Sequence, residues 1–359
     1  MTSMYVYVSN ADDGDISVYS LQGDGSLRAM ARVAAAKPVM PLAVSPDRRY
    51  LYAAIRAKPY SAITYAIDAR SGALEQVSVG PLADTFPYIS TDRAGRFLFG
   101  ASYASDVIAV HPIEGGTRVG EALQVIPVER HAHCILVDHT NKYVFVSALG
   151  TDRVYEFVFD ANTGRLAPNT PPLLQLKAGT GPRHMVFSSD NRFLYVLSEL
   201  MGTVTTLALD TASGHLSVQG SESILPPDTR LQPGMPRAPW GVPTANQAPP
   251  RNTDNDIWAS DVHLRPDGRF LYAVERTSNM LAWLRVDAGS GRVSYLGSVP
   301  TEKQARGFAI DPTGTYIVVA GEKSDAISVY AIQSNGAPEF LARYPAGRSP
   351  NWVEIVATA

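Results

Sequence analysis

The stretch "GTGPRHMVFSSDNRFLYVLSEL", residues 179 to 200, carries three side chains that could do acid–base chemistry. Arg183 brings a guanidinium cation, His184 an imidazole, whose free side chain titrates near neutrality, and Glu199 a carboxylate. Between them, "VFSSDNRFLYVLS" reads as strand, tight turn, strand. An antiparallel hairpin brings its open ends together, so Arg183 and Glu199 are expected to face one another. A cation, a carboxylate and an imidazole at one place suit the binding of a small polar anion combined with a proton-transfer step.

The hairpin that positions these groups recurs along the chain. "LAVSPDRRYLYAAI", "YISTDRAGRFLFGAS", "CILVDHTNKYVFVSAL", "MVFSSDNRFLYVLSE", "VHLRPDGRFLYAVER" and "FAIDPTGTYIVVAGE" each join an apolar strand to an aromatic-rich one through an Asp-centred turn. The turn aspartates Asp47, Asp92, Asp138, Asp190, Asp267 and Asp311 are expected to be structural. Most of the steps between them are near 45 residues, with several β segments per unit, as in propeller blades. A third segment and a turn such as "DARSGAL" or "DANTGRL" follow in each unit, and no 3.6-residue period appears. The tail "PNWVEIVATA" reads as a lone first strand and the head as a second, third and fourth. Joining them makes a seventh blade and closes the ring. The expectation is an all-β, seven-bladed β-propeller spanning 1–359 as one domain. A Pro-rich insertion over about 225–257 interrupts it and is expected to be a rim, a lid or a plain surface excursion.

In such a ring the first strand of each blade lines the axis, and the loops leading into those strands converge on one mouth. The residues expected there include His131–His133, Arg183–His184, Asp261–His263 and Arg306. The ends of the second strands add Arg56, Tyr103, Glu199, Glu275–Arg276 and Glu322–Lys323. Equivalent positions filled by different polar residues point to one asymmetric pocket rather than a repeated structural role. Polar groups at such a mouth are expected to be solvated and to add little to stability. His131, His133 and His184 with Glu199 invite a metal reading, but no tight ligand spacing supports it, so no metal is expected. Cys134 beside His133 invites a Cys–His nucleophile, against which stands a buried, inert thiol.

Composition narrows the partners. A net charge of -3 with 18% charged residues advertises no broad basic surface, so neither nucleic acid nor an anionic membrane is expected as partner. No apolar run approaches a membrane span and the start lacks the pattern of a secretory leader; with one cysteine, the expected compartment is the cytoplasm.

Beyond these residues, "GPRHMVF" with "SEL", "WASDVHLRPDGRFLYAVERT" and "QARGFAIDPTGTYIVVAGEKS" resemble the propeller-type bacterial 6-phosphogluconolactonases and the seven-bladed lactonases around them, which include propellers that close carboxymuconate lactones. The resemblance covers nearly the whole chain; the insertion between Ile224 and Trp258 is its main departure. It implies hydrolysis of a sugar-acid lactone without a cofactor. It also implies that His133, Arg183 and Glu199 serve the chemistry and that Arg276, with Arg306 second, binds the substrate's anionic group. His184, His263 and Glu322 are expected to bind substrate beside them. The base is either Glu199 or His133. The lactone is 6-phosphogluconolactone or, alternatively, an unphosphorylated aldonic or aldaric lactone. A non-enzymatic ligand- or protein-binding propeller would instead predict a mouth of aromatic and neutral residues.

Overall fold

The aromatic-rich second strands, such as Phe97–Ser102, Phe193–Ser198 and Phe270–Glu275, are buried along their whole length. Each lies in the middle of a small sheet covered on both faces, so neither side needs to be polar. The computed structural model describes residues 3–239 and 251–358 and arranges them in seven antiparallel sheets, six of four strands and one of five. Within each four-stranded sheet successive strands are neighbours; in the five-stranded one Arg118–Val119 and Gln124–Pro127 both pair with Val107–Glu114. The innermost strands, Val39–Val44, Tyr88–Thr91, Ala132–Val137, Pro182–Phe187, Ala259–Leu264, Ala305–Ile310 and Pro350–Thr358, lie side by side around one axis and close a ring. The expected terminal blade is present. The last strand pairs with the first, Tyr5 opposite Val356 and Val8 opposite Val353, which leaves neither terminus as an open edge.

Blades are joined by devices that the repeat supplies. The turn aspartates cap their own turns, and neighbouring turns reach across. Asn141 Nδ2 donates to Asp92 at 3.1 Å and Asn191 Nδ2 to Asp138 at 2.9 Å. Tyrosine hydroxyls donate to carbonyls of the next blade, as from Tyr7 to Gly72 at 2.9 Å and from Tyr272 to Gly336 at 2.8 Å. The glycine of each "DARSGAL"-type turn has two reasons to be glycine. Gly72 and Gly164 take φ of 66° and 74°, and a Cβ on them would lie 2.2 Å from the Tyr5 ring and 2.3 Å from the Phe97 ring of the preceding blade.

Between Ser223 and Ala259 the described residues form no strand. One bridge, Gln232 to Asp256, ties the two ends of this segment together. Asp256 is buried and accepts from Gln232 Nε2 at 3.0 Å and Arg251 Nη1 at 2.6 Å. The middle of the expected insertion, 240–250, lies outside the described residues.

Gly72→Ala should destabilise the protein by about 2 kcal/mol or more, because strained backbone and a ring clash add at one position. Chemical denaturation against the parent checks this; an unchanged midpoint would mean that the blade contact at Tyr5 is loose.

Candidate active site

The side chains expected just ahead of the innermost strands lie within them, at β-bulges. Pairing jumps between Ala132 and Cys134, between Pro182 and Met185, and between Ala305 and Gly307. His133, Arg183 with His184, and Arg306 are therefore the unpaired extra residues of three blades. A bulge bends the strand and re-aims a side chain that regular pairing would hold. The opposing groups, Glu199, Arg276, Glu322, Arg56 and Tyr103, each follow the last residue of a second strand. The hairpin geometry thus puts the bulge residues of these three blades and the strand-end residues at the same face.

At the centre Glu199 bridges two blades. Its Oε2 accepts from Arg183 Nε at 2.8 Å and from Arg276 Nη2 at 2.9 Å. Arg276 is held further by the carbonyls of Trp258, at 2.9 Å, and Ala259, at 3.1 Å, and its guanidinium lies 3.8 Å from the Trp258 ring centre. Among the described residues Glu199 Oε1 accepts no hydrogen bond. The expected solvated mouth is not what surrounds this cluster. Arg183, Glu199 and Arg276 are 1%, 4% and 4% exposed. Burial pushes the Glu199 carboxyl up, but the Arg276 and Arg183 guanidiniums outweigh it and hold the group below its ordinary value. Burial pulls Arg183 down to about 10 and Arg276 to about 9, so both stay cationic at neutral pH. Burial, then Arg183, His184, Arg306 and Arg276, hold His133 well below the ordinary imidazole value, so it is neutral. His133 Nδ1 and Arg183 Nη1 are buried and have no hydrogen-bond partner among the described residues.

These groups line a cavity of about 720 Å³, which gathers His133, Arg183, Glu199, Arg276, Arg306 and Glu322 as expected. Arg306 stands 4.0 Å from Glu322, which also accepts from Gln304 at 2.7 Å. The described lining holds seven basic side chains (Arg56, Arg183, Arg237, Arg276, Lys303, Arg306 and Lys323) against three acidic ones (Glu199, Asp254 and Glu322). Trp258, Arg237, Lys303 and Gln304 were not among the expected site residues. Arg237, Ala238, Pro239, Thr253 and Asp254 come from the two described ends of the insertion, which therefore forms part of the cavity wall.

His184 and His263 are not brought to this cavity. Both are bound by Asp261, His184 Nδ1 at 2.7 Å and His263 Nε2 at 3.2 Å, and they line a second cavity of about 280 Å³ with Trp352 and Glu354. The cause is the buried Asp261 carboxylate, which also takes the Phe308 and Val262 amides, at 3.1 and 3.0 Å, and so fixes both rings behind the bulge. His184 still touches the main site, with its ring 5.2 Å from that of His133. Glu275 caps its own turn and the Trp258 amide, a structural duty. Cys134 is packed in an apolar cluster, where burial pushes its thiol up to about 12, and does not line the cavity. Among the described residues no three His, Cys, Asp or Glu side chains are grouped to hold a metal ion. None of the described residues forms a helix long and apolar enough to cross a membrane.

A seven-bladed propeller whose central cavity pairs a buried Arg–Glu–Arg cluster with a neutral histidine and an excess of cations belongs to the class that hydrolyses cyclic esters of small acids, the carboxylic ester hydrolases acting on lactones. The chain belongs to the family described as "Lactonase, 7-bladed beta-propeller", matched over residues 4–355. It is 35% identical over 353 residues to the 6-phosphogluconolactonase of Serratia proteamaculans, covering 98% of each chain. The enzyme of the same name from Xenorhabdus nematophila matches to the same extent. Among solved structures, the periplasmic gluconolactonase of Pseudomonas aeruginosa superposes with a TM-score of 0.86 at 27% identity, over 99% of this chain and 100% of that one.

Because the cluster is buried, removing its shared counter-charge should cost stability as well as activity. Glu199→Ala should destabilise by about 3–5 kcal/mol, the usual scale for leaving a buried charge unpaired. Arg183→Met should cost less, since Glu199 keeps Arg276. Urea melts of the two variants test the order; equal, negligible losses would mean that the cluster is solvated after all.

Proposed function

We propose that this chain hydrolyses 6-phosphogluconolactone to 6-phosphogluconate, with Arg183, Glu199 and His133 at the reacting carbonyl. The observation that carries this is the cavity's excess of cations, seven basic against three acidic side chains, in a protein of net charge -3. Such a field selects an anionic substrate, and only two of those cations are committed to Glu199.

Water attacks the lactone carbonyl carbon, the carbonyl oxygen gains negative charge, and the ring C–O bond then breaks, giving the hydroxy acid. His133 takes the proton of the attacking water and returns it to the departing ring oxygen. Glu199 has one oxygen committed to two guanidiniums and serves to aim them. His133 is uncharged, and its basicity rises when the substrate's anion neutralises the nearby arginines. Arg183, with Nη1 still lacking an acceptor, is the donor for the developing oxyanion. Arg276 and Arg306 hold the substrate's anionic group, and Glu322 accepts from the polyol hydroxyls. A six-membered lactone already opens readily in water, so positioning and one base suffice, with no metal or cofactor.

The likeness to a gluconolactonase favours a second reading, an unphosphorylated sugar-acid lactone. Initial rates on freshly prepared 6-phosphogluconolactone, glucono-δ-lactone and glucaro-lactones, with the spontaneous rate subtracted, separate the two. A phosphorylated substrate places the reaction in the cytoplasm, where charged sugar phosphates are retained.

On the preferred lactone, His133→Ala and Arg183→Lys should each lower kcat/KM by about 10²-fold. Removing one positioned base has that scale, and a lysine lacks the planar fork of the guanidinium. Wild-type activity from each variant would remove that residue from the site. The pH profile tests the base separately. A folded-state value well below 6.5 means that His133 is already deprotonated above it. On glucono-δ-lactone, which avoids the phosphate's own ionisation near pH ~6, kcat/KM should be flat from about pH 6 to 8. An acid limb centred at or above 6.5 would contradict the assignment.

A further inference from the structure

The segment that interrupts the repeat contributes a cation that nothing in the chemistry above uses. Arg237 lines the main cavity with its guanidinium 4.9 Å from the centre of the Trp258 ring, the same ring on which Arg276 stands. Its backbone carbonyl accepts from the Tyr103 hydroxyl at 2.8 Å, which ties the segment across the mouth to another blade. Arg183 and Arg276 have their charge answered by Glu199, and Arg306 stands near Glu322. Arg237 is different. Among the described residues its Nη2 reaches only the Thr253 carbonyl, at 3.4 Å, its buried Nε has no partner, and no carboxylate lies within ion-pair distance.

A guanidinium anchored at its backbone, placed on an indole and without a carboxylate partner among the described residues is pre-organised for an anion from outside. The reacting carbonyl belongs with Arg183, Glu199 and His133. Arg237 sits on the wall opened by the insertion and shares Trp258 with Arg276. The anion it meets is therefore one carried at the far end of the substrate, not the oxyanion of the reaction. We infer that Arg237 is a specificity-determining residue that binds the phosphate of a phosphorylated sugar lactone by charge-assisted hydrogen bonds. The inference rests on the phosphorylated-lactone reading above. It predicts that the insertion sets substrate choice, while the blade residues set the reaction.

The test compares Arg237→Ala and Arg237→Lys with the wild type on 6-phosphogluconolactone and glucono-δ-lactone, with inorganic phosphate as an inhibitor. Arg237→Ala should lose at least about tenfold more kcat/KM on the phosphorylated lactone than on the other, mainly through KM, the scale of one charge-assisted hydrogen bond. Inhibition by phosphate should weaken in parallel, and Arg237→Lys should fall between. Tyr103→Phe, which releases the Arg237 carbonyl, should shift the same preference by a smaller factor and serves where Arg237→Ala melts early. Equal losses on both lactones, or unchanged inhibition by phosphate, would overturn the role of Arg237. A wild type with no preference for the phosphorylated lactone overturns the substrate reading as well, whereas a preference that survives Arg237→Ala overturns this assignment alone.

Discussion

A carboxylate shared by two buried guanidiniums from different blades is the constraint around which the site is built. Glu199 is 4% exposed and binds Arg183 of its own blade and Arg276 of the next through a single oxygen. Buried ion pairs contribute little net stability, because desolvation cancels most of the attraction. A packed apolar trio would hold these blades together at least as well. What the arrangement does supply is aim. Two cations that would repel each other at close range are locked in place by one anion, and their remaining donors are directed by geometry rather than by solvent. That is the pre-organisation an oxyanion needs at the moment charge develops.

The ring dictates how such a cluster can be assembled. Every blade turns the entry of its innermost strand and the residue after its second strand to the mouth, and in most of them the innermost strand is bulged there. Regular pairing would alternate side chains strictly along the strand, and the bulges at His133, Arg183 and Arg306 break that alternation at the cavity. The opposite face keeps its regular turns, where Asn141 and Asn191 chain neighbouring turns together. One face is repetitive and cohesive; the other is irregular and chemically diverse.

This division explains what could be read from the sequence. The blades were legible because most of them repeat the same physical demands: an apolar central strand, an Asp-centred turn, and a glycine pressed on an aromatic ring. The closing of the ring by both termini followed from counting strands. Six of the eight expected site residues converge because blade equivalence predicts position. His184 and His263 went elsewhere, since their orientation depends on Asp261, a tertiary contact between blades that spacing does not encode. The burial of Arg183 and Glu199 was hidden for a related reason, because a polar residue at a strand end reads as solvated until its partners are known. Arg237 and Trp258 lie in a segment without period, where position in the chain carries no information about position in space.

The charge distribution also links binding to chemistry. His133 is a weak base because burial and four neighbouring groups, three of them arginines, disfavour its protonation. An anionic substrate brings negative charge to those same arginines, and the penalty on an imidazolium falls as it docks. A neutral ligand of the same shape leaves the field unchanged. In the proposed mechanism the cation excess acts twice, first by drawing the anion in and then by making the histidine more basic. On this view the anionic group at one end of the lactone tunes the base at the other, so a substrate lacking it should lose turnover as well as affinity. This is differential binding in which part of the interaction with a remote substituent is spent at the reacting carbon.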